Sequence, residues 1–132
     1  VSLGRLLAVL DLEHADEDQL EDAMTRDSSP ALIAETHRQL DLLAEALANF
    51  VNIFNPGTIV LGGFLGVLHS FVPDRLEAGV AAGAIGGLGS RVSIRRAALG
   101  TDLLLVGAAE LVFAGLLADP ASVALDACTA RS

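Results

Sequence analysis

Between Leu40 and Gly63 the chain reads LDLLAEALANFVNIFNPGTIVLGG, and its apolar positions set out three elements in succession. Leu40, Leu43, Leu47, Phe50, Val51 and Phe54 recur at three- and four-residue spacing and so share one face of a helix. Asn55 precedes Pro56, which drives it out of the right-handed helical region and stops the helix there. Thr58-Ile59-Val60-Leu61 is short and apolar on both faces, the pattern of a strand buried in a mainly parallel sheet. Gly62-Gly63 then permits a sharp turn, or the close approach of a ligand to the backbone.

Upstream, Leu3, Leu6, Leu7 and Leu10 predict a short helix, and Leu20, Ala23 and Met24 a second one within the acidic stretch from His14 to Arg26. Ser29 is placed to cap, and Pro30 to open, the long helix that runs to about Phe54, with Glu35, Arg38 and Asp41 on its wet side. Downstream, Phe64 to Phe71 and, after Pro73, Asp74 to Val80 read as two helices. Val92 to Arg96 alternates as a strand with one face exposed, and Arg95 and Arg96 at its end read as solvated. Ala97 to Asp102 reads as a loop in which Asp102 caps a very apolar helix from Leu103 to Leu117, ended by Asp119-Pro120 ahead of a frayed tail. The strand-helix-strand portion is a βαβ crossover. Two strands alone make no stable sheet. The pattern therefore predicts part of a larger α/β protein, and Val1 begins abruptly, as if cut from a longer chain.

Composition narrows this picture. The 132 residues suffice for one domain and one core. They are 52% hydrophobic with five Phe and neither Trp nor Tyr, so that core is built from aliphatic side chains. A net charge of −9 argues against direct nucleic-acid contact, which needs clustered cations. The lone cysteine, Cys128, leaves no internal disulfide and suits a reducing cytoplasm. No signal-peptide pattern opens the sequence. The most apolar window, Leu103 to Ala118, is broken by Glu110 and is shorter than the roughly 20 residues of a membrane span, so the chain reads as soluble.

Candidate chemistry is sparse. His14, His37 and His69 have no neighbours at metal-ligand spacing and read as solvated helix-edge residues. Gly83, Gly86, Gly87 and Gly89 lack the lysine and Ser/Thr of a phosphate loop and follow no predicted strand; they read as a flexible linker. Asp74, Glu77 and Glu110 stand alone, so no catalytic residue and no metal site is expected. In α/β sheets ligands lie beyond the carboxyl ends of the strands, which is where Gly62 and Gly63 fall.

Ala48-Asn49-Phe50-Val51-Asn52-Ile53-Phe54-Asn55-Pro56, followed by Ile59-Val60-Leu61-Gly62-Gly63, resembles the ROK family of bacterial sugar kinases and sugar-responsive repressors. Val92 to Ile94, Leu99-Gly100-Thr101-Asp102 and Gly107-Ala108-Ala109 follow in that family's order and spacing, with Leu103 in place of a small residue. The likeness spans about 29–120 within a single domain of 1–132. It implies an α/β fold, the C-terminal part of an actin-like ATPase (ribonuclease-H-like) domain, helix-rich with a small, mainly parallel sheet. It also implies that Gly62 and Gly63, with Phe64 just behind them, line the cleft where the family's kinases hold the adenosine of ATP. The family's Asp-x-Gly-Gly-Thr phosphate segment, catalytic aspartate and His/Cys zinc motif do not appear, so the chain by itself is not expected to act as a kinase.

Two functions follow from the resemblance. One is the sugar-sensing and oligomerisation lobe of a transcriptional regulator, self-associating, with its DNA-reading part outside this chain and its sugar held through another lobe. Phe64 favours it, because a bulky ring at the adenosine edge crowds ATP. The other is the same lobe of an ATP-dependent hexose kinase. A third possibility is a remnant kept by packing, with the glycine pair serving only as a strand exit.

Overall fold

A computed structural model describes residues 1–98 and 102–118. The chain divides into two compact units, Val1–Gly100 and Thr101–Ser132. The first is organised on one long helix. Ser29 Oγ accepts from the Leu32 N–H at 3.2 Å, while Ser29 itself donates from its N–H and hydroxyl to the Asp27 carboxylate. With Pro30 in the first turn, this start launches α3 (Pro30–Phe54). The helix ends at Asn55, whose N–H donates to Val51 O at 2.8 Å. Asn55 leaves the right-handed region as the following proline predicts, but into the left-handed one (φ 45°, ψ 53°), which asparagine tolerates better than most residues.

Two short helices precede it, α1 (Leu3–Val9) and α2 (Glu17–Arg26), the latter opened by a reciprocal cap between Asp16 and Gln19. After α3 come β1 (Thr58–Leu61), α4 (Gly63–Phe71), α5 (Pro73–Gly83), two 3₁₀ turns (Ile85–Gly87 and Gly89–Arg91) and β2 (Ser93–Arg96). The strands pair in parallel with Ile59 opposite Ile94 and Leu61 opposite Arg96, so α4 and α5 form the predicted crossover. The result is helix-rich α/β with a small parallel sheet. The core joins Leu6, Leu20, Leu40, Val51, Ile59, Leu61, Val67, Leu68, Leu76, Val80 and Ile94. In the second unit, α6 (Leu103–Ala118) is apolar around its circumference apart from Glu110. Among the described residues no helix is long and apolar enough to cross a membrane. Residues 99–101 and everything after 118, including the expected helix stop at Asp119-Pro120 and Cys128, lie outside the described residues.

Apart from Arg96, five sequence expectations change. The strand β1 is not buried on both faces: Val60 is 62% exposed and only Ile59 and Leu61 enter the core, because α4 covers the sheet on one side. Phe50 and Phe54 leave the core stripe of α3 and stack on each other in solvent, ring centroids 4.6 Å apart. Their places are a quarter-turn from Val51, toward which α5 packs. His69 is buried on α4, its Nε2 without a hydrogen bond and 3.9 Å from Glu77 Oε1. The glycine-rich stretch is folded rather than a linker: Gly86 and Gly87 take left-handed φ, and Asn52 Oδ1 on α3 accepts from the Ile85 N–H at 2.8 Å.

Glu35 is the fifth. It is only 7% exposed, not on the wet side. Arg38 donates two hydrogen bonds to its carboxylate, at 2.8 and 2.6 Å, and Arg5 of α1 and the fully buried Gln39 add one each. Gln39 in turn accepts from the Ser2 N–H and donates to Ser2 O, both at 2.8 Å, so the cluster fastens α1 to α3. The Arg38 hydrogen bonds, against the opposing effect of burial and with help from Gln39 and the charges of Arg38 and Arg5, hold the Glu35 carboxyl from its ordinary 4.5 down to about 2. Hydrogen bonds from Arg75 of α5 similarly lower Asp41.

A carboxyl whose folded value is depressed stabilises above its unfolded value and loses that contribution as pH falls through the folded one. Stability is therefore expected to fall between pH 4.5 and about 2, and Glu35→Gln to flatten that acid limb in urea titrations across the range. At neutral pH Glu35→Ala should cost about 1–3 kcal/mol, since Gln39 and Arg38 lose a partner. An unchanged acid limb in Glu35→Gln would place the acid sensitivity elsewhere.

Candidate functional site

The carboxyl edge of the sheet is where β1 passes into α4 through Gly62, Gly63, Phe64, Leu65 and Gly66. Each of the three glycines meets a different demand. Gly63 has φ +60°, a conformation in which an L side chain is strained, although nothing lies within 4 Å of where its Cβ would be. Gly66 has ordinary helical backbone, but a Cβ there would stand 2.8 Å from Leu61 O and 2.8 Å from Arg96 Cγ, so the absence of a side chain lets α4 lie directly against both strands. Gly62 needs neither freedom: its backbone is extended (φ −102°, ψ 168°) and the space beside it is open. Nothing in the described chain requires glycine at position 62, which leaves the bare backbone available to a ligand.

Gly62 is also the N-cap of α4, and no side chain caps that helix. Its first-turn N–H groups therefore lack side-chain acceptors and sit at the positive end of the helix dipole. Phe64 is half-buried and packs against the apolar core from the first turn of α4. The structure thus brings the three expected residues together at one edge. Sequence reasoning missed Gly66, whose signal was its place one turn beyond Gly63, and it misplaced Arg96. Instead of being solvated, Arg96 crosses from β2 to α2, its guanidinium 2.5 Å from Glu21 Oε2 and 3.8 Å from Glu17 Oε2. The cation paired by register with the end of β1 is therefore engaged by two carboxylates. Arg95 is exposed, its Nε donating to Ser93 Oγ at 3.1 Å. Among the described residues no group of three or more His, Cys, Asp or Glu gathers in a way that would hold a metal ion.

A parallel crossover on a long helix, with a glycine-lined strand exit at the carboxyl edge, defines an α/β protein. The chain belongs to the ROK family, whose model matches residues 11–114. No curated protein and no solved structure matches it.

The division of roles among the glycines is open to test by urea unfolding. Gly66→Ala should lose about 1–3 kcal/mol through overpacking against backbone, and Gly63→Ala about 1–2 kcal/mol through left-handed strain. Gly62→Ala should be nearly neutral for stability. A cost at Gly62 equal to that at Gly66 would mean that position 62 serves packing after all.

Proposed function

We propose that the chain is the C-terminal, sugar-sensing and oligomerisation lobe of a ROK-type transcriptional regulator with an actin-like fold. Its DNA-reading part and the lobe that completes the sugar site would lie outside this sequence. The residue that carries this reading is Phe64, a bulky side chain that directly follows Gly62 and Gly63, where the family's kinases take adenosine; its half-buried ring anchors the first turn of α4 on the core. The engagement of Arg96 by Glu17 and Glu21 adds to it, since a nucleotide's phosphates gain little from a cation already paired. A net charge of −9 fits a lobe that does not itself touch DNA. In this reading the protein works in the cytoplasm as a homo-oligomer, holds no zinc or other cofactor in this lobe, and catalyses nothing by itself.

One observation favours the second reading, the corresponding lobe of an ATP-dependent hexose kinase. The unused space at Gly62 would admit an adenosine edge. Calorimetry with ATP separates the two. The regulator reading expects affinity no tighter than millimolar, and a micromolar dissociation constant would establish the kinase reading instead. Light scattering addresses the oligomerisation role, for which the exposed Phe50, Ile53, Phe54 and Ile85 give the chain apolar surface. Self-association at working concentration is expected; a monomer would count against it.

A further inference from the structure

Away from the carboxyl edge, a pocket of about 310 Å³ opens where the end of α2, the first turns of α3 and the end of α4 converge. Its surface is mainly apolar, from Met24 of α2, Leu32 and Ile33 of α3, and Phe71 and Val72 at the end of α4, with Thr25, Ser28 and His37 adding polar atoms. Thr36 also lines it; its Oγ1 has no hydrogen-bond partner and, in the rotamer present, is closed off from the opening. A buried hydroxyl left unpaired costs free energy that a ligand could recover by supplying the partner. A helical threonine populates two χ1 rotamers, so the hydroxyl has a second position available to meet one. The acidic group at the mouth, Asp27, is already taken by the Ser29 N–H and hydroxyl, so it does not recruit a cation.

Size and lining narrow the ligand. The volume lies at the bottom of the range of about 300–1,000 Å³ typical of ligand pockets, which suits a single ring with a substituent and not a nucleotide. A monosaccharide, with hydroxyls all round its ring, would leave several of them against the apolar walls. We propose that this pocket binds a small, mainly apolar ring compound bearing one hydroxyl or a comparable single hydrogen-bonding group, at a site separate from the glycine exit. The assignment stands on the pocket alone and does not depend on whether the chain belongs to a regulator or a kinase.

The chain carries one methionine, and Met24 is a wall of this pocket, so its methyl resonance is a single reporter. The experiment titrates phenol and toluene into the ¹³C-methyl-methionine-labelled 132-residue chain. Phenol should shift the Met24 methyl saturably. Ile33→Trp, at a half-exposed wall position, should abolish that shift while leaving the fold's circular dichroism unchanged. Thr36→Val, which keeps shape and removes the hydroxyl, should weaken phenol about fivefold, the order of one modest hydrogen bond, and leave toluene unaffected. Shifts that rise linearly without saturation overturn the proposal. So do shifts that saturate equally in Ile33→Trp, or equal phenol affinity in Thr36→Val.

Discussion

The packing of α5 against α3 is made by the smallest residues. On α5, Gly79 and Gly83 lie four residues apart and so on one face; opposite them on α3 stand Ala44 and Ala48, with the same spacing. A Cβ on Gly79 would come within 2.6 Å of the Ala44 Cβ, and one on Gly83 within 2.8 Å of the Ala48 Cβ. The two helices approach so closely that the alanine methyls of α3 leave no room for a side chain on α5, and the Arg75–Asp41 pair and the Asn52 bonds to Gly83 O and the Ile85 N–H flank the seam. Dispersion gained over such a seam is small per atom and large in sum. It also fixes where α5 ends, and therefore where the chain turns back to form β2.

Everything at the carboxyl edge inherits that placement. With α5 held against α3, the crossover brings β2 beside β1 in a single register, and Arg96 arrives opposite Leu61. Gly66 then closes the space between α4 and both strands, Gly63 makes the turn, and Gly62 is left with open space that the fold does not use. A site of this kind is defined by backbone more than by side chains.

The periodic and punctuated parts of the fold were legible in the sequence. Ser29-Pro30 and Asn55-Pro56 bound the long helix where local sterics predict, and the glycine pair falls at the strand exit. The misreadings share a physical cause: one-dimensional patterns do not say which neighbour covers a face. Glu35 looked solvated because its partners Arg5 and Gln39, with Ser2 behind them, are assembled only when α1 folds back on α3. Val60 looked buried because the reading assumed a sheet covered on two sides. Arg96 looked free because its carboxylates lie on α2, 75 residues earlier for Glu21. Gly79 drew no attention as a packing residue, since a glycine in a helix pattern carries no sign of what approaches it, and Gly83, read as linker, proves to be the last residue of α5. Phe64 and the glycine pair were found as a group because they are consecutive.

The seam between α3 and α5 is tested most directly by the sign of one substitution. In a helix with free space, Gly→Ala stabilises by about 1 kcal/mol through backbone propensity. At Gly79 the close approach of Ala44 opposes this, and Gly79→Ala should instead destabilise by about 1–3 kcal/mol in urea unfolding. The exchange Ala44→Gly/Gly79→Ala, which moves the missing methyl to the other helix, should recover most of the loss. A Gly79→Ala chain more stable than the parent would contradict the account, because the helices would then have room to spare where the structure has them in contact.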